Sequence, residues 1–137
     1  MRTKRHALRD WQALRSRSRC ERLLLLADYD GTLTPIAPTP PQARLPRRVK
    51  SLLNRLSRVE GVQVGIVSGR AAHTVRRLVG LPDAIYVGNH GMEIHGPNQR
   101  FVHREVRRIR PALRRLETVL RQTLRDVPGC LVEAKGS

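Results

Sequence analysis

Aromatic residues are nearly missing from this 137-residue chain; Trp11, Tyr29, Tyr86 and Phe101 are the whole set. Four rings are too few for the stacking platform that single-stranded nucleic-acid binders use. Cysteine is as scarce. Cys20 and Cys130 show no metal-ligand or redox spacing, so they read as two ordinary thiols rather than a disulfide. No apolar run approaches the ~20 residues of a membrane helix. The longest, Leu23 to Ala27, has the length of a strand. The basic first 22 residues are not followed by an apolar signal-peptide core with a small-residue cleavage site. The composition therefore reads as cytoplasmic, neither secreted nor membrane-spanning.

Negative charge is the other shortage. Eleven Asp and Glu stand against 27 Lys and Arg, a formal net charge of +16, and only Lys4, Lys50 and Lys135 are lysines. A field of that sign draws anions, whether nucleic acid, an acidic membrane surface or a phosphorylated small molecule. The basic charge concentrates in residues 1–22 and 100–126, the latter with nine arginines against three acids. In that second segment the arginines fall between the apolar positions, which is the pattern of a solvated amphipathic face. A nucleic-acid-binding fragment is thus the weaker reading, and charge alone selects no function.

The apolar pattern gives the organisation. Residues 7–22 read as a short basic helix with Leu8, Trp11 and Leu14 on one side. Leu23 to Ala27 reads as a strand buried on both faces, as in a parallel sheet. Five prolines between Asp28 and Pro46 make that stretch a loop. A helix then carries Val49, Leu52, Leu53, Leu56 and Val59, ended by Gly61. Val62 to Val67 is a second strand, residues 71–79 a short helix closed by Gly80, and Ile85 to Val87 a third strand. Strand and helix alternating over short connections predict a parallel α/β sheet with right-handed crossovers. Beyond Gly91 a hairpin is expected from residues 92–95 and 100–103. A helical stripe follows from Val106 to Leu124, with Pro111 starting or kinking it, and then a last strand at Cys130 to Glu133.

Chemistry concentrates at Asp28-Tyr29-Asp30-Gly31-Thr32-Leu33-Thr34. This segment closes the first strand, at the end where open α/β sheets bind ligands. In extended chain, residues two apart point the same way, so Asp28 and Asp30 enter one crevice. Two carboxylates so close repel unless a cation lies between them. Hard oxygen donors and a phosphate-type substrate suit Mg²⁺. One carboxylate can then attack phosphorus to form an aspartyl-phosphate, while the other moves the proton. Gly31 permits a sharp turn, and Thr32 offers a hydroxyl and an amide.

The stretch Asp28 to Ile36 resembles the first motif of the haloacid-dehalogenase-type phosphatases, in which the first Asp is the nucleophile and the second the general acid/base. Val67-Ser68-Gly69-Arg70 resembles their second motif, whose serine contacts the transferring phosphoryl group. Ser68 ends a strand and precedes a helix N-terminus, which suits an anion. Tyr29, the segment Gly88 to Ile94 and the segment Leu131 to Ser137 narrow the resemblance to the trehalose-6-phosphate phosphatase family. The likeness runs from about Leu23 to Ser137.

That resemblance implies a Rossmann-like α/β core over residues 23–91, preceded by the basic helix of 1–22 and followed by the beginning of an α+β cap over 92–137. It implies Asp28 and Asp30 as catalytic residues and Thr32, Ser68 and Gly69 as phosphate-binding. His90 and Glu93 are placed at the site mouth, and Glu133 and Lys135 on sugar hydroxyls, so all four are substrate-binding candidates. Mg²⁺ is assigned to Asp28 and Asp30, and Arg70 to packing near the helix start. The family's third motif, a basic residue after the cap, and its fourth, an acidic cluster completing the metal site, do not occur before Ser137. The expectation is therefore an N-terminal portion incomplete at its C-terminus, with weak metal affinity. Its first strand would be an unpaired edge open to self-association. The activity implied is hydrolysis of trehalose 6-phosphate, with another sugar-phosphate phosphatase as the alternative.

Overall fold

A computed structural model describes residues 9–10, 12–13 and 22–134. The helix expected over residues 7–22 lies almost wholly outside them, as does Lys135. The described chain runs β1 (Leu23–Asp28), α1 (Arg47–Leu56), β2 (Val62–Val67), α2 (Ala72–Val79), β3 (Ile85–Gly88), β4 (Glu93–His95), β5 (Arg100–Val102) and α3 (Arg104–Thr123). One five-stranded sheet has the order β1-β2-β3-β4-β5. β1, β2 and β3 are parallel, and the hairpin β4–β5 extends the same sheet antiparallel to β3. This is the α/β, Rossmann-like parallel core that the pattern predicts.

β2 and β3 form the rigid centre. Val64, Ile66 and Tyr86 are each no more than 1% exposed, packed with Val75 and Val79 of α2 and Leu53 of α1. Tyr86 is pinned by its hydroxyl, which donates to Leu81 O at 2.7 Å and accepts from Leu81 N–H. Where β3 ends, Gly88 lies against the backbone of Ala72, and a Cβ there would overlap Ala72 N and Cα. That close approach brings the start of α2 against the sheet.

Three expectations need correction. Leu23 to Ala27 is not buried on both faces: among the described residues the helices pack over β2 and β3 rather than over β1, and Leu23, Leu24 and Leu26 are each more than half exposed. α1 stops at Leu56 rather than at Gly61. Ser57 N–H turns back to Leu53 O, successive turns carry the chain to Val62, and Gly61 (φ 75°) instead lets it enter β2. Cys130 to Glu133 forms no strand, and Cys130 is an exposed free thiol. α3 matches its stripe but has no buried residue; Ile109, Leu113, Leu116, Val119 and Leu120 all face solvent. Pro111 sits inside α3, where it removes one main-chain donor without ending the helix. Among the described residues no helix is long and apolar enough to cross a membrane.

Candidate active site

The site forms where β1 and β2 end side by side. Their register pairs Asp28 with Val67, and Tyr29 N–H donates to Val67 O at 3.1 Å. The last residue of β1 and Ser68 therefore occupy neighbouring strand ends, which is the geometry the two motifs require. Asp28 is exposed there. After it the chain folds into a tight set of turns: Thr34 N–H and its Oγ1 both donate to Tyr29 O at 3.0 Å, and Gly31 N–H donates to Thr34 O. Tyr29 anchors this loop. Its ring is fully buried, its hydroxyl donates to Ala43 O at 3.1 Å, and burial pushes its pKa up.

Asp30 is not left to repel Asp28. Arg70 grips it in a two-point fork, Nε donating to Oδ2 at 2.8 Å and Nη2 to Oδ1 at 2.6 Å. Side-chain exposure is 10% for Arg70 and 44% for Asp30. The Asp30 hydrogen bonds raise the Arg70 pKa above its already high ordinary value, against the opposing effect of burial. The guanidinium carbon also lies 5.3 Å from the Tyr29 ring centroid, within cation–π range. Arg70 was expected to pack near the helix start, and it does, but it is also the partner of the proposed acid. A sequence signal existed. With β1 and β2 parallel and ending together, Asp30 lies two residues past one strand end and Arg70 three past the other.

Ser68 is 3% exposed, and its Oγ accepts from Arg70 N–H at 3.1 Å. The hydroxyl proton is thereby left to donate elsewhere. His90 packs over Gly69 so closely that a Cβ there would meet His90 Cε1 at 2.7 Å. An open cleft of about 260 Å³ is lined by Asp30, Gly69, Arg70, His90 and Glu133, with Ala43 in its wall. Four sequence candidates, Asp30, Gly69, His90 and Glu133, thus meet at one place, Glu133 from irregular chain. Asp28, Thr32 and Ser68 are not on this wall. Glu93 is 5% exposed, and its Oε2 accepts from Ala72 N–H at 3.2 Å, holding the start of α2 that follows Arg70. Asn89, unremarked in the sequence, donates its N–H to Arg70 O at 2.8 Å, while both polar atoms of its side chain are buried without a partner.

Among the described residues no group of three or more His, Cys, Asp or Glu could hold a metal. The oxygens of Asp28 and the main-chain carbonyl of Asp30 are donors of the kind Mg²⁺ accepts, because that ion keeps several waters and takes one or two carboxylates.

The model of the trehalose-phosphatase family matches residues 26–137. The chain belongs to that family. It is 30% identical over 136 residues to probable trehalose-phosphate phosphatase D of Arabidopsis thaliana, covering 93% of this chain and 36% of that protein. Among solved structures, a trehalose-6-phosphate phosphatase related protein aligns with TM-score 0.69 at 27% identity, over 78% of this chain and 45% of the other. The C-terminal domain of C. albicans trehalose-6-phosphate phosphatase aligns over 99% of this chain and 47% of the other, with TM-score 0.75 and 24% identity, a likeness of fold. The chain therefore spans about a third of the curated relative's length and just under half of each solved chain.

Proposed function

We propose that the protein hydrolyses trehalose 6-phosphate to trehalose and phosphate through an aspartyl-phosphate on Asp28. The observation that carries this reading is the Arg70 fork on Asp30 beside the paired ends of β1 and β2, in a chain of the trehalose-phosphatase family.

Asp28 attacks phosphorus, and the ester oxygen leaves with the bonding pair and takes a proton from Asp30. Asp30 then removes a proton from water, the water oxygen attacks the phosphoryl-aspartate, and the P–O bond to Asp28 breaks, releasing phosphate and restoring the Asp28 carboxylate and the protonated Asp30. Each Asp30 oxygen accepts one bond from Arg70, so a second lone pair on each remains for the proton. Arg70 thus orients the acid rather than occupying it. Ser68 Oγ–H donates to a phosphoryl oxygen, and Thr32 and Gly69 border the same group. His90, Glu133 and Lys135 are the sugar-facing candidates, and Glu93 fixes the start of α2. Asp28 and the Asp30 carbonyl would hold Mg²⁺, which would supply charge neutralisation of the phosphate.

The test is Mg²⁺-dependent phosphate release from trehalose 6-phosphate against glucose 6-phosphate. Asp28→Asn should abolish release, and Asp30→Asn should slow it by roughly 10²–10⁴-fold. Unchanged release by Asp28→Asn, or a preference for glucose 6-phosphate, would overturn the reading.

A further inference from the structure

Three consecutive residues after β3 have left-handed backbone: Asn89 (φ 48°), His90 (φ 56°) and Gly91 (φ 92°). Among the described residues, Asn89 and His90 are the two non-glycine positions with positive φ. Residues with a Cβ enter that region at a cost, and Asn and His bear it more readily than most. The turn they make sends the chain from β3 back into antiparallel β4.

This turn meets each residue of Ser68-Gly69-Arg70. Asn89 N–H donates to Arg70 O at 2.8 Å, and His90 N–H donates to Ser68 O at 3.4 Å. The His90 ring lies against Gly69 between them. On either side of the turn, Gly88 abuts the Ala72 backbone and the Glu93 carboxylate accepts from Ala72 N–H. Residues 88–93 thus hold residues 68–72 along their whole length. Arg70 carries the constraint onward, because its side chain forks onto Asp30.

The side chain of Asn89 does not explain its place through its own bonds. Both of its polar atoms are buried without a hydrogen-bond partner, which is a cost rather than a gain. What asparagine offers here is a tolerated left-handed backbone whose N–H remains aimed at Arg70 O. We propose that Asn89 is a positioning residue, its left-handed backbone setting the Arg70 carbonyl and, through Arg70, the direction of the fork on Asp30. Its effect on turnover rests on the reading of Asp30 as the proton carrier, whereas its hold on Arg70 does not.

The test compares the parent chain with Asn89→Ala, which resists positive φ, and Asn89→Gly, which adopts it freely. The first measurement is the ¹H–¹⁵N resonance of Arg70 Nε–H in the folded full chain. In the parent it should stand apart from those of the exposed arginines, because it is bonded to Asp30. Asn89→Ala should move it toward them, with the Val64 and Ile66 amides unchanged, and Asn89→Gly should return it. The second measurement is phosphate release from trehalose 6-phosphate. Asn89→Ala should lower kcat by about tenfold or more with KM little changed, and Asn89→Gly should recover most of the loss. A parent chain that releases no phosphate would end the reading of Asp30 and leave the Arg70 resonance to decide this proposal alone. A parent resonance like those of exposed arginines would overturn it. So would an Asn89→Ala chain with a lower melting temperature but the parent's Arg70 resonance, or an Asn89→Gly chain as impaired as Asn89→Ala.

Discussion

β2 and α3 both carry apolar patterns, and the protein treats them in opposite ways. Along β2, Val64, Gly65 and Ile66 are buried, closed in by α1 and α2 and by strands on both sides. Along α3 the stripe from Ile109 to Leu120 is clean, but no residue of it is buried. β1 resembles α3 in this respect, with three half-exposed leucines at the outer edge of the sheet. An apolar pattern therefore identifies a surface suited to burial, whereas burial itself depends on whether a second surface is present. The two acids proposed for the chemistry follow the less covered element, β1, and one of them, Asp30, is held from the better covered β2 side through Arg70.

The largest effect that sharpens this contrast is Ile66→Ala. It empties a fully buried position and should cost about 2–5 kcal/mol by chemical denaturation. The matching change on the open stripe, Leu116→Ala, should stay within about 0.5 kcal/mol. Equal losses at the two positions would show that α3 is covered after all and would break the comparison.

Arg70→Gln comes next. It keeps the size and one donor but removes the fork that ties the Asp30 loop to β2. Phosphate release should fall by about tenfold to a hundredfold, with a smaller loss for Arg70→Lys. Because Asp30 is nearly half exposed and solvent screens the pair, the accompanying change in melting temperature should be slight. A large stability loss with unchanged turnover would make Arg70 a purely structural residue.

The smallest effect is a pH dependence carried by His95. Its folded-state pKa lies below the ordinary 6.5, chiefly through burial, so the fold favours the neutral ring. Stability from this group is intact above about 6.5 and is lost as pH falls through that value toward the folded pKa. His95→Asn should flatten the slope of melting temperature against pH below 6.5. A parent chain that grows more stable on mild acidification would contradict the sign.

Most of the centre was legible from residues alone. β2 begins and ends where its apolar run does, and Gly80 closes α2 in the left-handed conformation expected of a helix stop. The failures have physical causes. The run Leu23 to Ala27 lies at the sheet edge as expected, but its apolar composition does not show whether anything covers its faces, and three of its leucines are half exposed. Cys130 to Glu133 has strand-like residues and finds no partner strand. At the site, Asp28 ends β1 and Asp30 follows two residues on, but only Asp30 lines the cleft that both were expected to enter. The cation the chain itself provides is Arg70, forty residues away in sequence and brought in by strand register. Local spacing could not reveal that pair, although parallel pairing of the two motif-bearing strands could.

The most direct test of the central claim is ¹⁹F NMR of beryllofluoride, a phosphoryl mimic that forms an adduct on a carboxylate nucleophile, in the presence of Mg²⁺. A bound resonance is expected with the parent chain and with Asp30→Asn, and none with Asp28→Asn. No bound resonance with the parent chain, or an adduct that survives Asp28→Asn, would contradict it.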